Sequence, residues 1–396
     1  MKCNQYLLGD VCNFIDYRGK TPPKQNFGIP LITAKIVKNG TILPPTEFIS
    51  EEYYDEWMRR GIPKKGAVIF TTEAPLGEVA QINTSEKLAF AQRVIILDPK
   101  EEILSPDYLL FALQEGLLKS RIQSRASGTT VVGIKSSELK KVVIDLPDLS
   151  TQRRIAAILS SLDDKIELNN KINANLKEQA QALFKSWFVD FEPWGGVMPE
   201  GWREGTLAEL CFYSKEKISI SKIDLTSYYS TENMLPEKLG ATVASGLPSV
   251  EFVTSCKPGD TLISNIRPYF KKILYCDRIS GCSNDVLCLR PIDKKYSHYV
   301  YALAYGDEFF DYMMSGAKGT KMPRGDKQLI MRYPVFLPSE QHLIEFNKLL
   351  SHFYSMIRIN MNENLRLAEL RDTLLPMLMS GELDVSDIEL SEVSDA

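Results

Sequence analysis

Residues 150–190 contain neither proline nor glycine, and their apolar side chains recur alternately every four and every three positions. A stretch of that length with that period folds as one continuous helix whose seam requires a partner. From Ile155 the seam runs through Leu159, Leu162, Ile166, Asn169, Asn173, Leu176, Ala180, Leu183 and Trp187. About forty residues rising ~1.5 Å each make a rod too long to pack inside one small domain. Ser150 stands where an N-cap is expected, and Pro193 with Gly195 and Gly196 stops the helix.

The same seam returns near the C-terminus. Adding 191 to each position gives Phe346, Leu350, Phe353, Ile357, Asn360, Asn364, Leu367, Arg371 and Leu374, so the two asparagines recur in register. The same shift carries Leu146-Pro147 to Leu337-Pro338 and Gly128-Thr129 to Gly319-Thr320. A gapped alternative with a shift of 189, matching Gln152 to Gln341, competes over the helix, and the ungapped one is preferred because it keeps the seam buried. Either way the chain is a tandem repeat of about half its length. A polar residue in a seam commonly fixes register and partner. Antiparallel helices would bring Asn169 and Asn173 to Asn360 and Asn364.

Residues 1–146 alternate short β-type runs with turns. Strands are expected over 29–37, 67–72, 78–82, 93–97 and 142–144, and helices over 51–60 and 106–125, making a mixed α+β body. The second body, from 198 on, echoes it: Leu207 to Cys211 resembles Leu8 to Cys12, Lys257 to Ile263 resembles Lys64 to Phe70, and Pro268 falls opposite Pro75. A helix over 297–314 precedes the second junction, and Gly381 ends the second long helix. Elsewhere the bodies have little in common, as expected if the helices hold a common geometry and each body reads something different.

At 396 residues the chain is long enough for two or three domains with real cores. No apolar run reaches the ~18 to 20 residues of a membrane span, and the N-terminus lacks the pattern of a signal peptide, so a cytoplasmic protein is expected. The seven cysteines, at 3, 12, 211, 256, 276, 282 and 288, contain no C-x-x-C pair and read as buried reduced thiols. The net charge of −4 hides a polarised end: no Lys or Arg follows Arg371, and the acidic remainder is expected to be disordered.

Catalytic motifs fail on inspection. Gly19-Lys20-Thr21 resembles the end of a phosphate-binding loop, but Phe14 occupies the position of its leading glycine. There is no G-x-S-x-G and no H-E-x-x-H, and only three histidines occur. No metal site is expected. What remains are polar and basic residues in loops beside strands: Arg18, Lys20, Lys35, Thr71, Thr72, Glu73, Arg93 and Arg125 in the first half, and Ser264, Asn265, Arg267, Tyr269, Lys271, Lys318, Lys321 and Arg324 in the second. Arg and Lys neutralise phosphates or read guanine, Asn pairs bidentately with adenine, and Glu accepts from an exposed amino group. Singly, such residues are usually solvated surface. The loops at 71–75 and 264–268 stand out because they occupy matching places in both repeats.

On these residues the chain resembles the specificity (S) subunit of a type I restriction-modification system. Ser127-Gly128-Thr129, Leu146-Pro147 followed by Gln152, Ile155, Ala156, Leu162, Asp163 and Ile166, and Leu183 to Phe188 carry the likeness. Leu337-Pro338 with Glu340-Gln341, and Leu374-Leu375-Pro376 through Ser380 to Leu383, carry it a second time, departing from the first copy at Arg371 and Pro376. The resemblance implies two tandem α+β target-recognition domains, at 1–146 and 194–336. Two long α-helices, at 147–193 and 337–383, would separate them and form an antiparallel coiled coil, with a disordered acidic tail at 384–396. It implies no catalysis by this chain. Its partners would be a bipartite double-stranded DNA site, two modification subunits that use S-adenosylmethionine, and restriction subunits that use ATP and Mg. The alternatives are a coiled-coil protein scaffold that does not bind DNA, or a stand-alone methyltransferase or nuclease with degenerate motifs.

Overall fold

The computed structural model describes residues 2–17 and 21–388. Arg18, Lys20 and the end of the acidic tail lie outside the described residues. The chain forms two compact units, one made of residues up to Leu168 together with those from Asn362 on, the other of Asn169–Met361. Each unit therefore contains one α+β body and half of each long helix, which differs from the division into separate bodies and spacers expected from sequence.

In the first unit an antiparallel sheet runs in the order Cys12–Asp16, Val94–Pro99, Val68–Thr72, Leu76–Gln81. Its central strands are apolar on both faces, and the period of two divides their side chains between two cores. Val68, Phe70, Ile95 and Leu97 pack with Leu109, Phe111 and Leu113 of the helix Pro106–Gln114. Ile69, Val94 and Ile96 pack with Ile29, Leu31 and Phe90 of a small three-stranded sheet. The strand expected over 29–37 stops at Ile32, where a turn closed by the Ile36 amide on the Thr33 carbonyl at 3.1 Å interrupts it; Asn39 and Gly40, both at positive φ, then make a tight hairpin that pairs Val37 with Ile42.

The helix expected over 106–125 is two helices. Glu115 is extended (φ −71, ψ 143), and its carboxylate accepts from the amides of Leu117 and Leu118 at 2.8 and 3.1 Å, which caps the second helix, Gly116–Gln123. The helix expected over 297–314 breaks in the same way at Gly306, into Ser297–Tyr305 and Asp307–Ser315. Gly306 lies 191 residues after Glu115, so the break belongs to the repeat.

The second unit repeats the main sheet in the order Cys211–Tyr213, Val286–Pro291, Thr261–Ser264, Ile273–Tyr275. Its accessory sheet has four strands where the first unit has three, and Cys256, Cys276, Cys282 and Cys288 lie in the core between its sheets. Among the cysteines, Cys3 is exposed and the other six are buried.

The long helices span Leu149–Phe188 and Glu340–Ser380. The first is capped by Asp148, not Ser150: the Asp148 carboxylate accepts from the amide of Thr151 at 2.9 Å and from its hydroxyl at 2.8 Å, and these bonds hold its pKa below the usual carboxylate range. Gly381, at φ 78, ends the second. Within each unit the paired halves run antiparallel, residue numbers rising on one as they fall on the other. In the first unit Ile155 and Leu159 share a core with Leu378, and Arg371, the charged residue in the second seam, donates to Asp163 at 2.7 Å. In the second unit Phe188 packs edge-on against Phe346 with ring centres 4.8 Å apart, and Ala180 joins the same core as Leu350. There the buried Asn360 donates to Asn173 at 2.9 Å.

Burial decides between the two repeat alignments. Gln152 is fully buried, donating to the carbonyls of Ile103 and Pro147 and accepting from the amide of Ser105. Gln341 is exposed, while Leu343, its ungapped counterpart's position, is buried. The tail also differs from expectation: Val385 is 4% exposed in the first unit's core, and Arg154 donates to the carbonyl of Ile388 at 2.9 Å. The chain thus stays packed beyond 384, where disorder was expected to begin.

Candidate nucleic-acid interface

In each unit, the loop at the end of a central strand is tied by backbone hydrogen bonds to the loop that follows the helix pair. In the first unit, Thr72 accepts from the amide of Ile134 at 3.0 Å and Glu73 forms a bridge with Gly133. Loop 127–133 is itself closed by two bonds between Ser127 and Gly133, at 2.8 and 2.9 Å. In the second unit, Arg267 donates to the carbonyl of Pro323 at 2.7 Å, Ile266 bridges Arg324, and the amide of Gly325 donates to the carbonyl of Asn265 at 3.2 Å. Loop 318–324 is closed by two bonds between Lys318 and Arg324, both 2.9 Å. Gly128 and Gly319, at φ 118 and 100, make the sharp turn that both closures need, since an added Cβ would meet a carbonyl oxygen 2.1 and 3.2 Å away.

The strand-end loops share a second feature. The residue before proline is left-handed in both, Ala74 at φ 49 before Pro75 and Arg267 at φ 50 before Pro268. The matching positions noted in the sequence thus share this turn, although Ala74-Pro75 is cis and leads into a strand while Pro268 opens a 3-10 helix.

Their side chains are used differently. In the first unit the Glu73 carboxylate pairs with Arg93 at 2.9 Å, both about half exposed. Around them Thr72, Ser127, Val131, Gly133 and Lys135 line an open depression. In the second unit Arg324 pairs with Asp285 at 3.2 Å and Lys318 with Asp326 at 2.9 Å, and the Lys318 bond, ahead of the amides of Leu329 and Gln328, holds Asp326 below the usual carboxylate range. Lys321 is exposed and has no ion-pair partner among the described residues. Asn265 Oδ1 and Arg267 Nε are buried without any hydrogen-bond partner.

The remaining expected residues are placed as follows. Thr71, Thr72 and Ser264 are buried: the Thr71 hydroxyl accepts from the amide of Glu78 at 2.9 Å, and that of Ser264 donates to the carbonyl of Ile266 at 3.0 Å. Thr71 and Ser264 thus brace the loops, while the buried Thr72 borders the depression beside Glu73. Arg125 pairs with Glu138, Lys271 pairs with Asp307, Lys35 is exposed, and Tyr269 is exposed against Phe270. The loop partners Val131, Val132, Gly133, Met322, Pro323 and Gly325 were not singled out from sequence. The Gly-Thr pair repeating at the same shift was the available signal.

Residues 2–178 match the family model described as Type I restriction modification DNA specificity domain. Over 408 aligned residues, 93% of this chain and 91% of the other, it is 26% identical to the MjaIX type I restriction enzyme specificity subunit of Methanocaldococcus jannaschii. Over most of its length the chain is similar to type I restriction enzyme specificity subunits. The HindI specificity subunit of Haemophilus influenzae is 33% identical over 134 residues, 33% of this chain and 29% of that one. The crystal structure of the type I S subunit from M. genitalium superposes with a TM-score of 0.59 at 18% identity, covering 96% of both chains, a likeness of fold. The family model reaches the first repeat alone. The likeness of the second repeat rests on the relative aligned over 93% of the chain.

Proposed function

We propose that this chain is the non-catalytic specificity subunit of a type I complex, and that its two units each recognise one half of a bipartite double-stranded DNA site. The observation that carries the reading is the duplicated loop pair, which presents Glu73, paired with Arg93, in one unit and Arg267 and Lys321 in the other. Base edges are read by side chains of these types, and phosphates are held by Lys and Arg. A scaffold without DNA binding would leave the unpaired Lys321 and Arg267 of the second unit's loops without a use.

In this reading the DNA is methylated and cut by partners: two modification subunits carrying S-adenosylmethionine, and restriction subunits using ATP and Mg. The chain contributes their placement. Outward-facing apolar residues of the second long helix suit such contacts, among them Ile344, Met356 and Ile359 in the second unit and Leu365 and Leu370 in the first, all exposed. No helix of the described residues is long and apolar enough to cross a membrane, and we place the complex in the cytoplasm with the DNA.

The test is DNA binding with and without the modification subunits. The chain alone, with its net charge of −4, is expected to bind weakly. The assembled complex is expected to bind tightly and with sequence specificity. Equal specific affinity in both states would refute the role of the partners, and failure of the assembled complex to discriminate between sequences would refute the role of the chain.

A further inference from the structure

We infer that each unit reads one G·C base pair with an exposed arginine that a neighbouring carboxylate holds, Arg93 held by Glu73 in the first unit and Arg324 held by Asp285 in the second. The inference rests on the DNA reading above and names the base pair that each unit takes.

Three backbone positions meet at the same junction in both units. The residue that enters a central strand, Arg93 ahead of Val94–Pro99 or Asp285 ahead of Val286–Pro291, accepts at its carbonyl from the amide of Thr72 or Asn265, at 2.8 Å in both. The residue after that amide, Glu73 or Ile266, bridges the closing residue of the second loop, Gly133 or Arg324. The corners are therefore Glu73, Arg93 and Gly133 in one unit and Ile266, Asp285 and Arg324 in the other. Each junction carries a guanidinium against a carboxylate, at 2.9 Å for Arg93 with Glu73 and 3.2 Å for Arg324 with Asp285. The pair recurs although no corner keeps its residue.

Both pairs are open to solvent. Arg93 and Glu73 are 50% and 40% exposed, Arg324 and Asp285 56% and 40%. Beyond these contacts neither guanidinium makes a hydrogen bond among the described residues, so most of its five N–H donors are unspent. Arg93 also stands at φ 77, a left-handed backbone that costs a non-glycine residue more than an exposed ion pair returns. The fold itself does not call for an arginine there.

The base edges select the partner. A planar guanidinium meets O6 and N7 of guanine with two N–H donors, and the carboxylate beside it accepts from N4 of the paired cytosine. Adenine offers N7 but turns its N6 donor toward the guanidinium, and thymine offers one acceptor beside a methyl group. A carboxylate that holds the fork beforehand lowers the ordering cost of binding.

The assembled complex with its modification subunits would be tested against duplexes varied one base pair at a time across both half-sites. Arg93→Gly is expected to lose about 5- to 150-fold discrimination at a single G·C pair of one half-site, with the other half-site unchanged. Because glycine suits the left-handed backbone, the melting temperature of this variant should equal or exceed that of the wild type. Arg324→Ala should lose a single G·C preference in the other half-site alone. Arg93→Gln should move the preference at its pair from guanine to adenine, which a carboxamide complements, and Glu73→Gln should weaken that preference. A purely structural ion pair would leave every base preference intact, and a phosphate contact would weaken all sequences equally. Either result, or a loss at an A·T pair, overturns the inference while leaving the DNA reading intact. A wild-type complex without sequence preference overturns both.

Discussion

The loop 71–75 of the first unit and the loop 264–268 of the second share their anchoring bonds and differ in how they use their side chains. Each is left-handed before a proline and pinned to a glycine-turned neighbour. The first closes on itself through the Glu73–Arg93 pair, and its neighbour 127–133 carries no charge. The second leaves Asn265 and Arg267 unpaired, and its neighbour 318–324 carries Lys318, Lys321 and Arg324. The parts that hold the loops repeat while the parts that face outward do not. This separation is what a protein needs if its two half-sites are to change independently on a constant frame.

The separation can be broken at the frame first. Phe188 is buried against Trp202, Tyr299 and Phe346, so Phe188→Ala should cost about 3 to 5 kcal/mol of stability, read by denaturant unfolding of the second unit's signals. Inserting two residues after Asn175 should be comparably severe, because a turn of ~200° takes Ala180 and Phe188 off the face that meets Phe346 and Leu350. Next comes the buried amide pair. Asn360→Ala strands Asn173 and should cost about 1 to 3 kcal/mol, whereas replacing both by Leu should cost much less and loosen the register. A similar cost for the double replacement would show that the pair stabilises the seam itself.

The reading side should respond in the reverse manner. Glu73 and Arg93 are about half exposed, so Glu73→Ala should change stability by less than about 1 kcal/mol. The same change should remove about 1 to 3 kcal/mol of discrimination in one half-site. The smallest effect sharpens the comparison most: Lys321→Ala should lower the slope of log affinity against log salt by about one, while Thr130→Ala at the matching tip should leave the slope alone.

Much of this frame was legible in the sequence, for a physical reason. The long helices are set by a local period, and a shift of 191 that preserves Ile155 as Phe346 and Leu159 as Leu350 preserves buried positions. The helix breaks at Glu115 and Gly306 were not legible, because the apolar spacing runs on through both while a side-chain cap and a glycine redirect the backbone. Asp148 was passed over for Ser150 because both are good caps and one residue of helix start decides between them. The loop pairing was hidden for a different reason: Glu73 and Gly133 are sixty residues apart in sequence and meet through backbone groups, which carry no sequence signature. Thr71 and Ser264 resemble readers in the sequence because loop threonines and serines are polar, and only their depth in the sheet shows that their hydroxyls are committed inward.

The division of reading between the two units is tested most directly by mapping methylated sites in cells carrying the complete system with either Glu73→Ala or Arg267→Ala. The expected result is a relaxed base preference in one half-site for the first variant and in the other half-site for the second, with the spacer unchanged in both. A single substitution that alters both half-sites would contradict it.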